Sequence, residues 1–298
     1  MAQNTATADN FDTVIRAEYE RTDIGDAKLE DVQRKLPLSE TLWNSSAFRK
    51  TLILLALAII WQIYGVWLDN PMIFPTLTDT LSALWANIVN GTIPTRLIAT
   101  LKVLVVGYVI GVILATIFTT IAVSSRIGTD LLSTLTAMFN PLPAIALLPL
   151  ALLWFGLGTP SLVFVIVNSV LWAVALNMHT GFLTVSDTMR MAGQTFGLRG
   201  MRYVIQLLIP AAFPAILAGL KIGWAFAWRT LIAAELVFGV SSGQGGLGWF
   251  IFENRNLLDT PAVFAGLLTV MSVGLFVEGV IFRFIENRTV RKWGMQRG

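Results

Sequence analysis

The sequence is poor in cysteine, histidine and charge. It has 298 residues with no cysteine, one histidine and 13% charged residues. The missing cysteine excludes a disulfide framework and a thiolate metal site. A soluble domain carries about 25% charged residues. Here 55% of the residues are hydrophobic and the mean hydropathy is +0.70, so the composition indicates an integral membrane protein.

Motifs for enzymatic chemistry are also missing. The glycine-rich stretch 243–248 lacks the Gly-Lys-Ser/Thr ending of a phosphate-binding loop. No His/Asp/Glu cluster has the spacing of a metal site. Basic residues are not interleaved with aromatic residues as on nucleic-acid-binding surfaces. We therefore expect no enzymatic activity, no bound cofactor or metal, and no nucleic acid partner.

Apolar runs long enough to cross a bilayer, about 20 residues, recur along the chain. The long alternating runs of a membrane β-barrel are absent. The pattern predicts an all-α integral membrane protein with six transmembrane helices, at residues 51–68, 97–123, 131–155, 160–182, 208–239 and 261–285.

Lysine and arginine are concentrated on one side of these spans. Several precede the first span and several follow the fourth and the sixth, and Arg126 follows the second, whereas the opposite loops hold Arg96 and Arg255 as exceptions. Cytoplasmic loops carry the excess of basic residues, so both termini are expected in the cytoplasm. We predict a cytoplasmic N-terminal tail at 1–50, a six-helix domain at 51–290 and a cytoplasmic C-terminal tail at 291–298.

The loop between the fourth and fifth predicted spans is polar, basic and marked by glycine and proline. Gly197 is expected to end a helix in the left-handed conformation. Pro210 is expected to begin the next span, where its missing N–H costs little. A plain basic loop would explain the arginines but not the spacing of glycine and proline.

This loop resembles the Glu-Ala-Ala signature of permease subunits in ATP-binding-cassette (ABC) importers. Its glycine is followed by nine residues and then by Leu-Leu-Ile-Pro, which is the signature's frame. The matching positions are Ala192, Gly197 and Pro210. The departures are Met191 in place of Glu, Gly193 in place of Ala, and the apolar replacements Leu207 and Ile209.

The resemblance extends over roughly residues 50 to 290. Several further segments look like permeases for nitrate, taurine and alkanesulfonates: 143–149, 154–158, 210–220, 233–236 and 245–248.

The resemblance implies a type I ABC importer permease of MetI-like architecture, in a bacterial inner membrane, that imports a small anionic or zwitterionic solute. The implied partners are a second copy of the chain, a cytoplasmic ATPase dimer that holds ATP and Mg, and a periplasmic or lipid-anchored solute-binding protein. It also implies a coupling helix at about 187–204. The coupling residues would be Arg190, Met191, Ala192, Gly193, Gly197, Arg199, Arg202 and Pro210.

Candidate residues for the translocation path come from the third, fourth and fifth spans. Prolines 141, 143 and 149 break the third span. Irregular backbone within a membrane either lines a cavity or is buried in protein. Pro143 is therefore the candidate for the translocation path on this span, and a proline kink that serves only packing is the alternative. Asn168 and Trp172 are the candidates on the fourth span, where interhelical hydrogen bonding is the alternative for the asparagine.

The fifth span contains ionisable residues, which cost about 2.5–3.5 kcal/mol each at the bilayer centre and should not face lipid. Lys221, Trp228 and Glu235 recur every seven residues and so share a helical face, with Arg229 beside them. A structural ion pair and anion recruitment are the two interpretations of the cations. Glu235 is expected to brace the outer loop.

Small residues recur every four positions on the fifth span, as at Gly219 and Gly223, and on the second, as at Gly107 and Gly111. Such faces allow close helix packing, within the chain or against a second copy, and the smooth wall of a passage is a further interpretation. Two other classes of function stay open at this point, a secondary transporter driven by an ion gradient and a membrane scaffold without transport.

Overall fold

The computed structural model describes residues 43–238 and 245–290. Three predicted features lie wholly or partly outside these ranges: the two tails at 1–50 and 291–298, the end of the fifth span at position 239, and residues 243–244 of the glycine-rich stretch. The chain divides into two units, 1–56 and 57–298. The helices are α1 (Ser46–Leu68), α2 (Leu77–Val89), α3 (Thr92–Val123), α4 (Arg126–Phe139), α5 (Leu148–Phe155), α6 (Thr159–Leu183), α7 (Asp187–Thr195), α8 (Gly200–Tyr203), α9 (Ile209–Ala211), α10 (Phe213–Phe238), α11 (Leu247–Asn256), α12 (Thr260–Phe276) and α13 (Arg283–Arg288).

Five helical stretches in the described residues are long and apolar enough to cross a membrane: α1, α3, α6, α10 and the stretch from α12 through α13. They correspond to five of the six predicted spans. The number rises to six if the bent pair at 126–155 is one span. The all-α prediction is confirmed for these residues, which contain no strand.

The third predicted span is not one straight helix. α4 and the helical stretch Ala144–Phe155 meet at an angle of 88°. The chain leaves the α-helix after Phe139, and Pro143 precedes a short 3-10 turn at Ala144–Leu147. Prolines at 141 and 143 remove backbone donors and clash with the preceding turn, so the predicted break is confirmed and takes the form of a sharp bend.

Polar caps and prolines set where helices begin. Ser125 accepts a hydrogen bond from the Gly128 N–H at 2.9 Å at the start of α4. Asp259 accepts from the Ala262 N–H at 3.1 Å at the start of α12. Prolines occupy the first turns of α5, α6, α9 and α12, where no helical N–H is needed.

α6 lies between α3 and α10 and packs along both. A Cβ at Gly107 of α3 would lie 2.7 Å from the Ile166 side chain of α6. A Cβ at Gly223 of α10 would lie 2.9 Å from Val174 on another part of α6. At these positions the small-residue faces therefore serve close packing within one chain, which was one of the predicted uses.

Two helices lie where the sequence pattern predicted only connections, α2 between the first two spans and α11 between the last two. Both pack against α12 and α3. Each is short and mixes polar with apolar residues. Hydropathy over a bilayer-length window does not detect such segments.

Candidate functional site

The chain between α6 and α10, residues 187–210, is called the linking segment below. α7 begins after Ser186, whose hydroxyl accepts a hydrogen bond from the Met189 N–H at 3.4 Å. After α7, Gly197 has φ +77° and its N–H donates to the Gln194 carbonyl at 2.9 Å. The left-handed conformation predicted for Gly197 at a helix end is confirmed.

A single helix over 187–204 is not what the structure contains. The backbone departs from the helix between α7 and α8, and Gly200 is left-handed as well, with φ +56°. Left-handed residues interrupt a right-handed helix. The linking segment is therefore a helix of two and a half turns, a glycine turn and a second helical stretch that runs from α8 through a π-helical turn into α9.

Pro210 does not begin the fifth span as predicted. It lies in α9, after a π-helical turn at Val204–Leu208, and the α-helix is interrupted at Ala212 before α10 starts. Proline has no N–H and clashes with the carbonyl four residues earlier. The wider turn, in which the Ile209 N–H reaches the Val204 carbonyl, precedes the proline directly.

The base of the linking segment is fastened to α6 by Arg190. Its Nε donates to the Val185 carbonyl at 3.0 Å and its Nη2 to the Phe182 carbonyl at 2.5 Å. These bonds satisfy carbonyls at the end of α6, where a cation also suits the helix dipole. Arg199 and Arg202 are exposed, so only these two of the three predicted arginines are open to a partner.

Gly193 and Leu207 fit together inside the linking segment. Gly193 is buried, and a Cβ there would lie 2.4 Å from Leu207 Cδ1. These two departures from the resembled signature therefore fit each other, since the missing Cβ of Gly193 leaves room for the Leu207 side chain. Leu207 also packs on a buried cluster that contains Phe182 of α6 and Ile216 of α10. Its close approach to Gly193 therefore links α7 to the ends of both spans.

The tip of the linking segment is apolar and exposed. Phe196 is 85% exposed and its neighbours Met191 and Met201 are 60% and 61% exposed; Ala192 is exposed as well. Exposed apolar side chains in a group are typical of an interaction surface. Because its base is fixed and its tip is uncovered, the segment is suited to transmit a contact to α6 and α10.

Packing brings several chain ends to the end of the bundle that carries the linking segment. Val123, at the end of α3, packs on the cluster around Phe182. Leu217, near the start of α10, packs with Phe282 in the second half of the last span and with Val290 just after it. The basic residues after the second, fourth and sixth spans therefore share one end of the bundle.

A cavity of about 350 Å³ lies beside the bend of the third span. Four of the predicted path residues line it: Pro143, Asn168, Trp172 and Arg229. Its walls include the ring of Phe139, which stacks on Trp172 with centroids 5.0 Å apart and an interplanar angle of 12°. Trp172 Nε1 donates to Asn168 Oδ1 at 3.0 Å, which fixes the orientation of both side chains.

Arg229 brings a positive charge to this cavity from inside α10. It lies roughly two and a half turns before Phe238. Its Nε donates to the Ala225 carbonyl at 3.1 Å, and its guanidinium lies 5.2 Å from the centroid of the Phe226 ring. In the described residues the ion pairs involve other cations. Glu235 instead accepts hydrogen bonds from Thr100 and Gly248.

The other three predicted residues of the fifth span lie outside the cavity. Lys221 pairs with Glu286 at 2.5 Å, which matches the ion-pair interpretation. Trp228 is buried, and its Nε1 donates to the Val270 carbonyl of α12 at 3.3 Å. A helix turns by about 100° per residue, so adjacent Trp228 and Arg229 point to different neighbours.

Glu235 is buried and fastens α11 to the bundle. Its carboxylate accepts a hydrogen bond from the Thr100 hydroxyl at 3.0 Å and from the Gly248 N–H at 2.9 Å. Thr100 Oγ1 accepts in turn from the Leu247 N–H at 2.7 Å. The predicted bracing role of Glu235 agrees with this geometry.

A second set of contacts holds the same region. Arg96 Nη2 pairs with Glu253 of α11 at 3.1 Å, and its Nη1 donates to the Gly245 carbonyl at 3.4 Å. Arg96, one of the two exceptions to the charge distribution, is therefore bound to an acid. α11 is joined to α3 by both sets of contacts.

Sequence reasoning missed several residues of these sites. Lys102 of α3 is exposed and lines a second cavity of about 420 Å³ with Thr95 and Thr159. A cation in an otherwise apolar span was the available sign. Phe226 carried no such sign, because a phenylalanine in a membrane helix is ordinary.

The fold is that of a multi-pass membrane protein with a partly exposed segment between two of its spans. The family described as binding-protein-dependent transport system inner membrane component matches residues 107–291. This match spans both the cavity and the linking segment. The chain belongs to this family and is a permease subunit of an ABC importer.

Similar proteins agree with this assignment. The chain is 29% identical over 234 residues to an ABC transporter permease protein of Methanocaldococcus jannaschii, covering 77% of this chain and 86% of the relative. It is 27% identical to the nitrate import permease of Synechocystis sp., covering 89% and 96%. It is 31% identical to the taurine transport system permease of Escherichia coli K12, covering 47% and 50%. The secondary transporter and scaffold alternatives are not favoured.

Proposed function

We propose that a cytoplasmic ATPase drives transport by exerting force on the linking segment. ATP and Mg are bound by that ATPase and not by this chain. The proposal rests on the exposed Phe196, which lies between the end of α7 and the turn at Gly197. The linking segment that holds it is fastened to α6 and packs against α10. Met191 and Met201 extend its apolar surface. Arg199 and Arg202 lie beside it and suit an acidic rim on the ATPase.

The family implies an ATPase and a solute-binding protein as partners. We place the linking segment in the cytoplasm because the end of the bundle that carries it is rich in arginine. Both chain termini then lie in the cytoplasm, and α11 faces the side from which the binding protein delivers solute. The membrane is the bacterial inner membrane.

The working unit is a homodimer. Each chain offers one linking segment, and ABC ATPases act as a pair, so two identical chains match two ATPases. ATP binding closes the ATPases, moves both linking segments and opens the path outward, and hydrolysis resets it. The residues that contact the ATPase are those of the exposed tip, whereas Arg190, Gly193 and Pro210 shape and anchor the segment.

The solute is a small anion or zwitterion that passes the cavity beside the bent third span. The nitrate and taurine named for two relatives support this class. Arg229 supports it independently, since it brings a cation to the cavity wall.

The test is ATP hydrolysis stimulated by the solute-loaded binding protein, in a complex reconstituted with the cognate ATPase. Phe196→Ser should lower the stimulated rate at least tenfold and leave the melting temperature of the permease unchanged, because an 85% exposed ring contributes little to folding. Ile127→Ser is the matched control: Ile127 is 81% exposed and follows the end of α3, and its change should leave the rate intact. Normal stimulation in the Phe196 variant would refute the proposed contact.

A further inference from the structure

We propose that the cavity at Arg229 binds organic anions, each with one carboxylate or sulfonate on a compact apolar body. This inference rests on the proposed transport function and narrows its solute class. It is argued from the charge, the hydrogen-bond donors and the walls of the cavity.

The first argument is the charge of Arg229. It is exposed to the cavity inside a membrane-spanning helix, where an uncompensated cation is unfavourable. The described residues satisfy the other two ionisable groups of α10, Lys221 by Glu286 and Glu235 by hydrogen bonds. An anion in the cavity would give Arg229 the counter-charge that they already have.

The geometry of Arg229 leaves its binding edge open. Phe226 covers a face of the guanidinium, and the Nε is occupied by the Ala225 carbonyl. The terminal N–H groups lie in the guanidinium plane and can donate in parallel to two oxygens of a carboxylate or sulfonate. Stacking on the ring is compatible with this, since it uses the face and not the edge.

The remaining polar groups of the cavity also suit an anion. Asn168 accepts from Trp172 through its Oδ1, so the amide nitrogen keeps its two N–H donors for a ligand. Asn140 and Thr230 supply further polar groups. None of the lining residues that the structure describes is acidic, so the wall carries no charge that would repel an anion.

The walls decide between an inorganic anion and an organic one. The stacked pair of Phe139 and Trp172, together with Pro141 and Pro143, makes much of the lining apolar and aromatic. A bare inorganic anion can use the same donors as an organic one, but it gains nothing from the apolar part of the walls. An apolar body gains by leaving water against the same walls.

The experiment measures ligand-induced shifts in the melting temperature of the full-length permease in phospholipid nanodiscs. Benzenesulfonate has the charge and the body, nitrate has only the charge, and benzyl alcohol has only the body. Benzenesulfonate should raise the melting temperature saturably by about 2–4 °C. Nitrate should need at least tenfold higher concentration for the same shift, and benzyl alcohol should give none that saturates.

Variants assign the effect to the cavity. Arg229→Met should abolish the shift without lowering the melting temperature of the ligand-free protein, because it removes a cation that has no counter-charge there. Arg229→Lys should weaken the shift, since an ammonium lacks the planar fork. Arg255→Met is the matched control, because Arg255 is an exposed arginine beyond the cavity, and it should shift like the wild type.

Three results would overturn the inference. An equal response to nitrate and benzenesulfonate would show that the apolar walls do not select. A response that survives Arg229→Met would place the ligand elsewhere. If Arg229→Met dissociates the dimer and benzenesulfonate has no effect, the counter-charge comes from a second copy. None of these touches the ATPase contact at Phe196, so failure here and failure of the proposed function are distinguishable.

Discussion

The two ends of the bundle are built in opposite ways. At the end that holds α11, a buried carboxylate, a threonine and two backbone N–H groups satisfy one another around Glu235. At the other end the linking segment is bonded only at its base, and its tip exposes Phe196 and Met201. At the first end these polar groups are satisfied by described residues of the chain itself. The second has apolar surface that no described residue covers, which is why we place the energy input there.

The largest effect on stability is expected from breaking the buried network. Glu235→Ala leaves the Gly248 N–H and the Thr100 hydroxyl without their acceptor and should cost about 1.5–3 kcal/mol for each hydrogen bond lost. The melting temperature should fall, and amide hydrogen exchange should accelerate in α11. Glu253→Ala is the comparison, because its carboxylate is 43% exposed and such pairs contribute about 0–1 kcal/mol. Equal decreases in the melting temperature of the two variants would mean that the burial of Glu235 does not determine its contribution to stability.

The next largest effect on stability is expected at the base of the linking segment. Arg190→Met keeps the length of the side chain but removes two hydrogen bonds to the end of α6, with a cost below about 3 kcal/mol because the group is only half-buried. Thermal unfolding should detect it. Arg199→Met should be neutral, since Arg199 is exposed. If Arg199→Met proved as harmful as Arg190→Met, the inward role of Arg190 would be wrong.

A smaller loss of stability, which a second substitution should suppress, is expected inside the linking segment. Gly193→Ala introduces a Cβ 2.4 Å from Leu207, an overpacking that should cost about 1–3 kcal/mol. Adding Leu207→Ala should restore much of the melting temperature lost, because it vacates that space. A double variant no more stable than Gly193→Ala alone would argue against direct compensation between the two positions.

The smallest effect should come from the Lys221–Glu286 ion pair. Its side chains are 32% and 22% exposed, and pairs open to solvent contribute about 0–1 kcal/mol. A double-mutant cycle with Lys221→Met and Glu286→Gln measures the coupling directly. A coupling well above 1 kcal/mol would instead make this pair a major fastening of α13 to α10.

The membrane helices were predictable because bilayer insertion depends on composition over a long window. α2 and α11 were not, because they are short and hold their places by contacts with other helices. The bend of the third span followed from its prolines, but its angle of 88° did not.

Much of the site depends on helix rotation, which the sequence does not specify. Gly197 and Glu235 behaved as expected because a left-handed helix end and a buried acid each have few solutions. Arg229 and Trp228 were equal candidates in the sequence. Close packing of Gly219 and Gly223 against α6 sets the rotation of α10, and only that rotation turns Arg229 to the cavity.

The most direct test of the account is thiol cross-linking at the tip of the linking segment. The chain has no cysteine, so Phe196→Cys introduces a unique thiol that can be joined to single cysteines on the ATPase surface. The account predicts a cross-link to the ATPase whose yield changes with ATP, and none from Ile127→Cys. A Phe196→Cys thiol that reacts with membrane-impermeant reagents from outside intact cells, and never joins the ATPase, would contradict it.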